Sequence, residues 1–125
     1  MPSLDNMMMR QIIMDHYESP RNHGLVDDEN YKSVNMDSET CIDNIDIQAL
    51  IEGNVIKDIR FDGEACAICT ASTSIMSELL IGKTIDDANK IIEEAIVFIN
   101  THKQANRIKC ATLGWTGIKK ILDQE

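Results

Sequence analysis

The sequence predicts an α+β fold in which a small three-stranded antiparallel sheet is packed with helices. Three observations carry this expectation. Within residues 31–61 apolar and polar side chains alternate with a period of two in three runs, separated by the polar connection from Asp37 into Cys41-Ile42-Asp43 and by Gly53-Asn54. From Ala67 onward the apolar residues recur at helical spacing. The strand-like runs follow one another and are not interleaved with helices, which is the pattern of a segregated α+β architecture. At 125 residues the chain suffices for one core, and it is read as a single domain over residues 1–125.

Residues 7–18 have the spacing of a short helix, with Met8, Met9, Ile12 and Ile13 apolar. Ser19-Pro20-Arg21-Asn22-His23-Gly24 ends it, because Pro20 disfavours helical backbone at Ser19 and Gly24 permits a reversal. Residues 31–36 fit an edge strand. Ile45, Ile47, Ala49 and Ile51 mark the inward face of the next strand, and Gly53 suits the first position of a type II′ hairpin turn. Val55, Lys57, Ile59 and Phe61 are expected inward on the return strand, with Lys57 the misfit. Ile68, Ala71, Ile75, Met76 and Leu79 outline a helix that Gly82 would terminate. Thr84 caps a following helix through Ala88, Ile91, Ile92, Ala95 and Ile99. Thr112 caps a last one facing inward through Trp115, Ile118, Ile121 and Leu122.

A net charge of -9 and a sequence pI of about 4.7 argue against nucleic-acid binding, since phosphates would be repelled, and favour cationic partners or metal ions. No targeting segment is visible, and no apolar run approaches the roughly 18 residues that a membrane span requires. A cytoplasmic location without membrane contact is expected. In such a reducing compartment, four cysteines point to metal or redox chemistry more than to disulfides.

The cysteines are Cys41, Cys66, Cys69 and Cys110. A structural zinc ribbon is disfavoured, because Cys66-x-x-Cys69 is the only close pair and Cys69 falls inside a helical pattern. A thioredoxin-like site is disfavoured as well, because that fold requires alternating strands and helices. Cys41 and Asp43 are two apart and leave an extended segment on the same face, making half of a tetrahedral site that Cys66 and Cys110 could complete. Three thiolates bind zinc or iron strongly, whereas a carboxylate is a harder and more exchangeable ligand, so such a site can hold a metal or cluster and release it. Cys66 and Cys110 are each expected just before a helix, where unpaired amides favour negative charge on sulfur, and Arg107 and Lys109 add positive charge beside Cys110. Cys69 reads as a small buried hydrophobe slightly better than as a ligand.

At these residues the sequence resembles the IscU/SufU/NifU N-terminal family of iron-sulfur cluster assembly proteins. The resemblance runs from Asp15-His16-Tyr17-Glu18-Ser19-Pro20-Arg21-Asn22-His23-Gly24, through Phe61-Asp62-Gly63-Glu64-Ala65-Cys66-Ala67-Ile68, to Arg107-Ile108-Lys109-Cys110-Ala111-Thr112-Leu113. It implies a compact scaffold whose Cys41, Asp43, Cys66 and Cys110 hold zinc, iron or a transient [2Fe-2S] cluster. It also implies persulfide transfer from a SufS- or IscS-type cysteine desulfurase, with Cys41 the first acceptor and Cys110 the second, and delivery to apo iron-sulfur proteins. Lys109 before the last cysteine resembles SufU members, where IscU members have histidine. Gln104-Ala105-Asn106-Arg107-Ile108 replaces the Leu-Pro-Pro-Val-Lys motif of IscU, while the stretch between Cys66 and Cys110 lacks the extra segment of SufU. Two departures from the family stand out, Ile42 for glycine and Cys69 for serine. The readings left open are a cluster scaffold, a zinc-dependent sulfurtransferase and a zinc-stabilised adaptor.

Overall fold

A computed structural model describes residues 4–38, 43–101 and 108–124, without the side chains of residues 4–7, 9, 100, 101 and 108–111. The elements are α1 (Leu4–Glu18), β1 (Lys32–Asp37), β2 (Asn44–Glu52), β3 (Val55–Glu64), α2 (Ala67–Leu80), α3 (Ile85–Thr101) and α4 (Ile108–Asp123). The strands form an antiparallel meander in the order β1-β2-β3. One face of the sheet buries Met36, Ile45, Ile47, Ala49, Ile56, Ile59 and Phe61, and these residues share a core with Met76, Leu80, Ala88, Ile92, Ile118 and Ile121 from the helices.

The return strand corrects two expectations. Gly53 and Asn54 both have positive φ, 58° and 69°, so the hairpin turn is type I′, because asparagine tolerates the left-handed region at the second position. Ile51 pairs with Ile56 and Leu50 with Asp58, which leaves Lys57 as the extra residue of a β-bulge. The bulge shifts the alternation by one. Ile56 therefore points inward with Ile59 and Phe61, while Lys57 is exposed and Val55 is half-buried.

The free edge of β3 is covered from both ends. Asn22 O accepts from Phe61 N at 3.2 Å and Phe61 O accepts from Gly24 N at 2.8 Å, so the residues after α1 pair with the strand. Near the turn, Ile56 N donates to Lys83 O and Gly82 N donates to Ile56 O. These contacts occupy backbone groups that would otherwise offer an edge for another chain. The segment before β1 crosses the outer face of the sheet. Val26 exchanges two hydrogen bonds with the Gln48 amide, and the Tyr31 hydroxyl donates to Asp58 Oδ2 at 2.6 Å. Tyr31 is pushed up to about 12, first because that bond favours the protonated phenol and then because of burial.

The buried face of α2 differs from the one its apolar residues predict. Leu79 is half exposed, and Ile68 and Ile75 are half-buried, whereas Cys69, Ala71, Ser72, Thr73, Ser74, Met76, Ser77 and Leu80 are buried. The hydroxyls are tolerated there because each meets an acceptor. Ser72 and Thr73 donate to Cys69 O, and Ser77 donates to Ser74 O. Small side chains let two helices come close. A Cβ on Gly114 of α4 would collide with the Thr73 side chain, and Trp115 Nε1 donates to Ser72 O at 3.0 Å across the same contact. Gly117, one turn further, faces Ile47 and Met36 of the sheet.

On the other side of α2, the described residues join it to α1 through a network of polar groups. Ser74 Oγ accepts from Arg21 N at 2.8 Å and is hydrogen-bonded to His16 Nδ1 at 2.7 Å. His16 Nε2 then faces Glu78 Oε1 at 3.6 Å. Asn22 Nδ2 donates to Ser77 Oγ at 2.9 Å, and Arg21 bridges Asp15 and Glu78. Burial and, less strongly, the Arg21 charge hold His16 below the usual imidazole value. α1 begins at Leu4, earlier than its apolar spacing indicated, and exposes Met8, Ile12, Met14 and Tyr17.

Two outcomes are expected. Gly114→Ala lowers stability, because overpacking costs about 1–3 kcal/mol against a rigid Thr73 Cβ, more than the roughly 1 kcal/mol that alanine gains over glycine within a helix. Gly117→Ala costs less, since the ends of the Ile47 and Met36 side chains can yield, and urea unfolding of both variants checks the order. Because the folded state lowers the His16 pKa, its contribution is complete above about pH 6.5 and is lost as pH falls through the folded value. Urea midpoints of the native chain should therefore drop more between pH 7.5 and pH 5 than those of His16→Gln.

Candidate metal and sulfur site

The open end of the β2–β3 hairpin builds the site. Asn44 and Glu64 are the last pair of the register, so Asp43 and Cys66 both leave the sheet at that end. Asp43 Oδ1 accepts from Cys66 N at 2.8 Å, and its Oδ2 lies 3.8 Å from Cys66 Sγ. Asp43 O accepts from Ser38 N at 2.9 Å, which ties the end of β1 to the same point. Gly63 has φ 134°, and a Cβ there would run into Asn44 O, so this close approach of the two strands requires glycine. The Gly63 amide is held by Asp62 Oδ1 at 2.8 Å.

Cys66 is the N-cap of α2, as its position before the helical period predicts. Its backbone is extended (φ -68°, ψ 167°), and its sulfur accepts from Cys69 N at 3.4 Å. Cys66 is half-buried, whereas Cys69 is fully buried in the core. Cys110 lies in the first turn of α4, not before it, and Thr112 lies inside the helix instead of capping it. The helix extends back to Ile108 because Lys109 and Ala111 are good helix formers and neither Gly nor Pro interrupts the run. Cys41 and Ile42, with Gln104, Ala105, Asn106 and Arg107, lie outside the described residues, as do the side chains of Lys109 and Cys110. Among the described residues no three His, Cys, Asp or Glu side chains converge as a metal site.

Asp43 and Cys66 are thus the pair of expected ligands whose contact is visible. Asp43 has 0% exposure, and among the described residues no cationic side chain pairs with it. Burying a carboxylate is costly unless a positive charge or several hydrogen-bond donors compensate. Among the described residues its partners are one amide donor and the neighbouring thiol. A buried oxygen donor beside a sulfur donor fits a zinc or iron ion. What sequence reading missed is the second role of both residues, Asp43 as acceptor for the Cys66 amide and Cys66 as a cap. The polar contacts of His16, Arg21 and Asn22 with α2 were also missed; their one signal was Ser74 and Ser77, a turn apart among the small polar residues of that helix.

No described helix is long and apolar enough to cross a membrane. The family described as NifU-like N terminal domain matches residues 8–124. The chain is 34% identical to the zinc-dependent sulfurtransferase SufU of Bacillus subtilis, over 94% of this chain and 91% of that protein. That alignment spans 136 positions, so roughly 18 of them have no residue in this chain. The iron-sulfur cluster assembly scaffold protein IscU of Escherichia coli is 35% identical over 93% of this chain and 92% of its own length, in 119 positions with almost no such gaps. A crystal structure described as a putative iron-sulfur cluster assembly scaffold protein for the SUF system, from Fervidobacterium islandicum, superimposes with a TM-score of 0.76 at 27% identity, covering 90% of this chain and 94% of that one. The chain therefore belongs to the NifU-like N-terminal domain family, the IscU/SufU/NifU group of iron-sulfur scaffold proteins.

Proposed function

We propose that this protein takes part in iron-sulfur cluster assembly, accepting sulfur from a cysteine desulfurase and carrying a metal or [2Fe-2S] cluster for delivery to apo-proteins. Cys41, Asp43, Cys66 and Cys110 are the proposed ligands. The observation that carries the reading is the fully buried Asp43 carboxylate, with one oxygen on the Cys66 amide and the other 3.8 Å from the Cys66 sulfur. An oxygen donor in a thiolate set weakens retention, which suits cargo that must leave.

Cys41 is the proposed sulfur acceptor, on the connection between β1 and β2. Its thiolate attacks the outer sulfur of the desulfurase persulfide. The sulfur–sulfur bond of the donor breaks, a new one forms on Cys41, and the donor cysteine departs as thiolate. Cys110, in the first turn of α4, is the second candidate acceptor. Arg107 and Lys109 supply positive charge for anionic sulfur.

A second reading, a zinc-dependent sulfurtransferase that holds no stable cluster, is favoured by Lys109 and by the 34% identity to Bacillus subtilis SufU. In that reading zinc polarises its thiolate ligands. The near-gapless alignment with Escherichia coli IscU favours the scaffold.

Zinc-loaded protein, challenged anaerobically with ferrous iron, cysteine and a desulfurase, separates the two. Zinc release with growth of a cluster absorption spectrum is the scaffold outcome, whereas retained zinc with faster desulfurase turnover is the sulfurtransferase outcome. No change in either quantity would leave a zinc-stabilised adaptor. Cys41→Ala should abolish sulfur acceptance, measured by mass spectrometry of the persulfidated chain; unchanged transfer refutes that assignment. Asp43→Ala should hold a bound cluster longer and pass it on more slowly. Its metal-free form should lose about 1–3 kcal/mol, because the Cys66 amide loses its acceptor.

A further inference from the structure

We propose that Cys66 and Cys69 form a reversible disulfide, a redox modification site at the start of α2. The pair already shares one contact, with the Cys66 sulfur accepting from the Cys69 amide at 3.4 Å. Residues three apart on a helical turn place their Cβ atoms about 5–6 Å apart, whereas a disulfide needs about 3.5–4.5 Å. Cys66 can supply the remaining closure, because it stands before the helix with extended backbone and its carbonyl shares one rung of the helical ladder, accepting from Thr70 N at 3.0 Å.

Burial sets the order of events. Cys66 is half-buried and within reach of a small oxidant, whereas Cys69 has 0% exposure. A low-molecular-weight disulfide therefore reacts first at Cys66. The Cys66 thiolate attacks one sulfur of the oxidant, whose sulfur–sulfur bond breaks, giving a mixed disulfide and releasing one thiolate. The Cys69 thiol then attacks the Cys66 sulfur and expels the second half of the oxidant, which takes up the Cys69 proton and leaves as thiol. The protein loses two electrons and two hydrogens, and the oxidant becomes two thiols. Asp43 is then left beside a disulfide sulfur that has no proton to donate. Resting on the function proposed above, closure also withdraws Cys66 from the metal-binding set, so the pair acts as a redox gate on metal or cluster loading.

The test begins with metal-free, full-length protein equilibrated anaerobically in oxidised and reduced glutathione, alkylated after unfolding, and digested with trypsin. Cleavage at Arg60 and Lys83 yields one peptide, residues 61–83, with both cysteines, while Cys41 and Cys110 fall on peptides 33–57 and 110–119. The expected product is peptide 61–83 without alkylation and lighter by two hydrogens, restored by dithiothreitol. In Cys69→Ser, Cys66 should accumulate as the glutathione mixed disulfide instead. The proposal is overturned if Cys69 remains alkylatable wherever Cys66 is oxidised, or if peptide 61–83 is cross-linked mainly to peptide 33–57 or 110–119. With zinc-loaded protein, loss of zinc in step with the internal disulfide supports the gate. A disulfide that forms while zinc is retained overturns the gate and the assignment of Cys66 to the metal set, and leaves the dithiol pair standing.

Discussion

The pairing of Asn44 with Glu64 at the open end of the hairpin is the constraint on which the site depends. It places Asp43 one residue beyond the sheet on one strand and Cys66 two residues beyond it on the other. A slip of one residue would turn the side chains of β2 to the opposite face and separate the pair. The register is set far from the site, by the left-handed turn at Gly53-Asn54 and the bulge at Lys57. Gly63 enforces it locally, because only a residue without Cβ lets the strands approach there.

Around this hairpin the chain solves two packing problems with small residues. The edge of β3 is closed by backbone from residues 22–24 and 82–84, so the strand that carries the site is not open to other chains. α2 is enclosed between α1 and α4, and its serine and threonine hydroxyls bond to carbonyls of its own preceding turn. That satisfaction within the helix, joined at Ser74 and Ser77 by bonds from His16, Arg21 and Asn22, allows a polar face to be buried. The same small face gives α4 its close approach at Gly114.

Much of this was legible in the sequence. The period-two runs located the meander, and the inward face of α4 through Trp115, Ile118, Ile121 and Leu122 is as expected. Cys66 at the junction of strand and helix, and its association with Asp43, followed from spacing and from family resemblance. The departures have physical causes. Lys57 broke the alternation because an inserted residue changes its phase, which composition cannot distinguish from an inward lysine. Gly-Asn is compatible with both primed turns, and only the backbone angle of Asn54 decides between them. The buried face of α2 was misread because hydroxyl side chains look polar in sequence and behave as small packing groups once bonded to their own helix. The proposed convergence of Cys41 and Cys110 on Asp43 and Cys66 would rest on long-range placement, which spacing does not encode.

The two sides of α2 are joined by different kinds of force. Against α4 the contact is close and centred on Trp115, whereas against α1 it runs through His16, Arg21 and Asn22, with the flanks of α1 left in water. Hydrogen bonds, whose strength is largely offset by those the same groups make with water when unfolded, hold a boundary less firmly than buried apolar area does. Among the described side chains, the molecule therefore has a polar seam between its first helix and the rest. Under denaturant, amides of α1 would open to hydrogen exchange before those of α4, and the hairpin bearing Asp43 and Cys66 would stay closed after the first helix had come away.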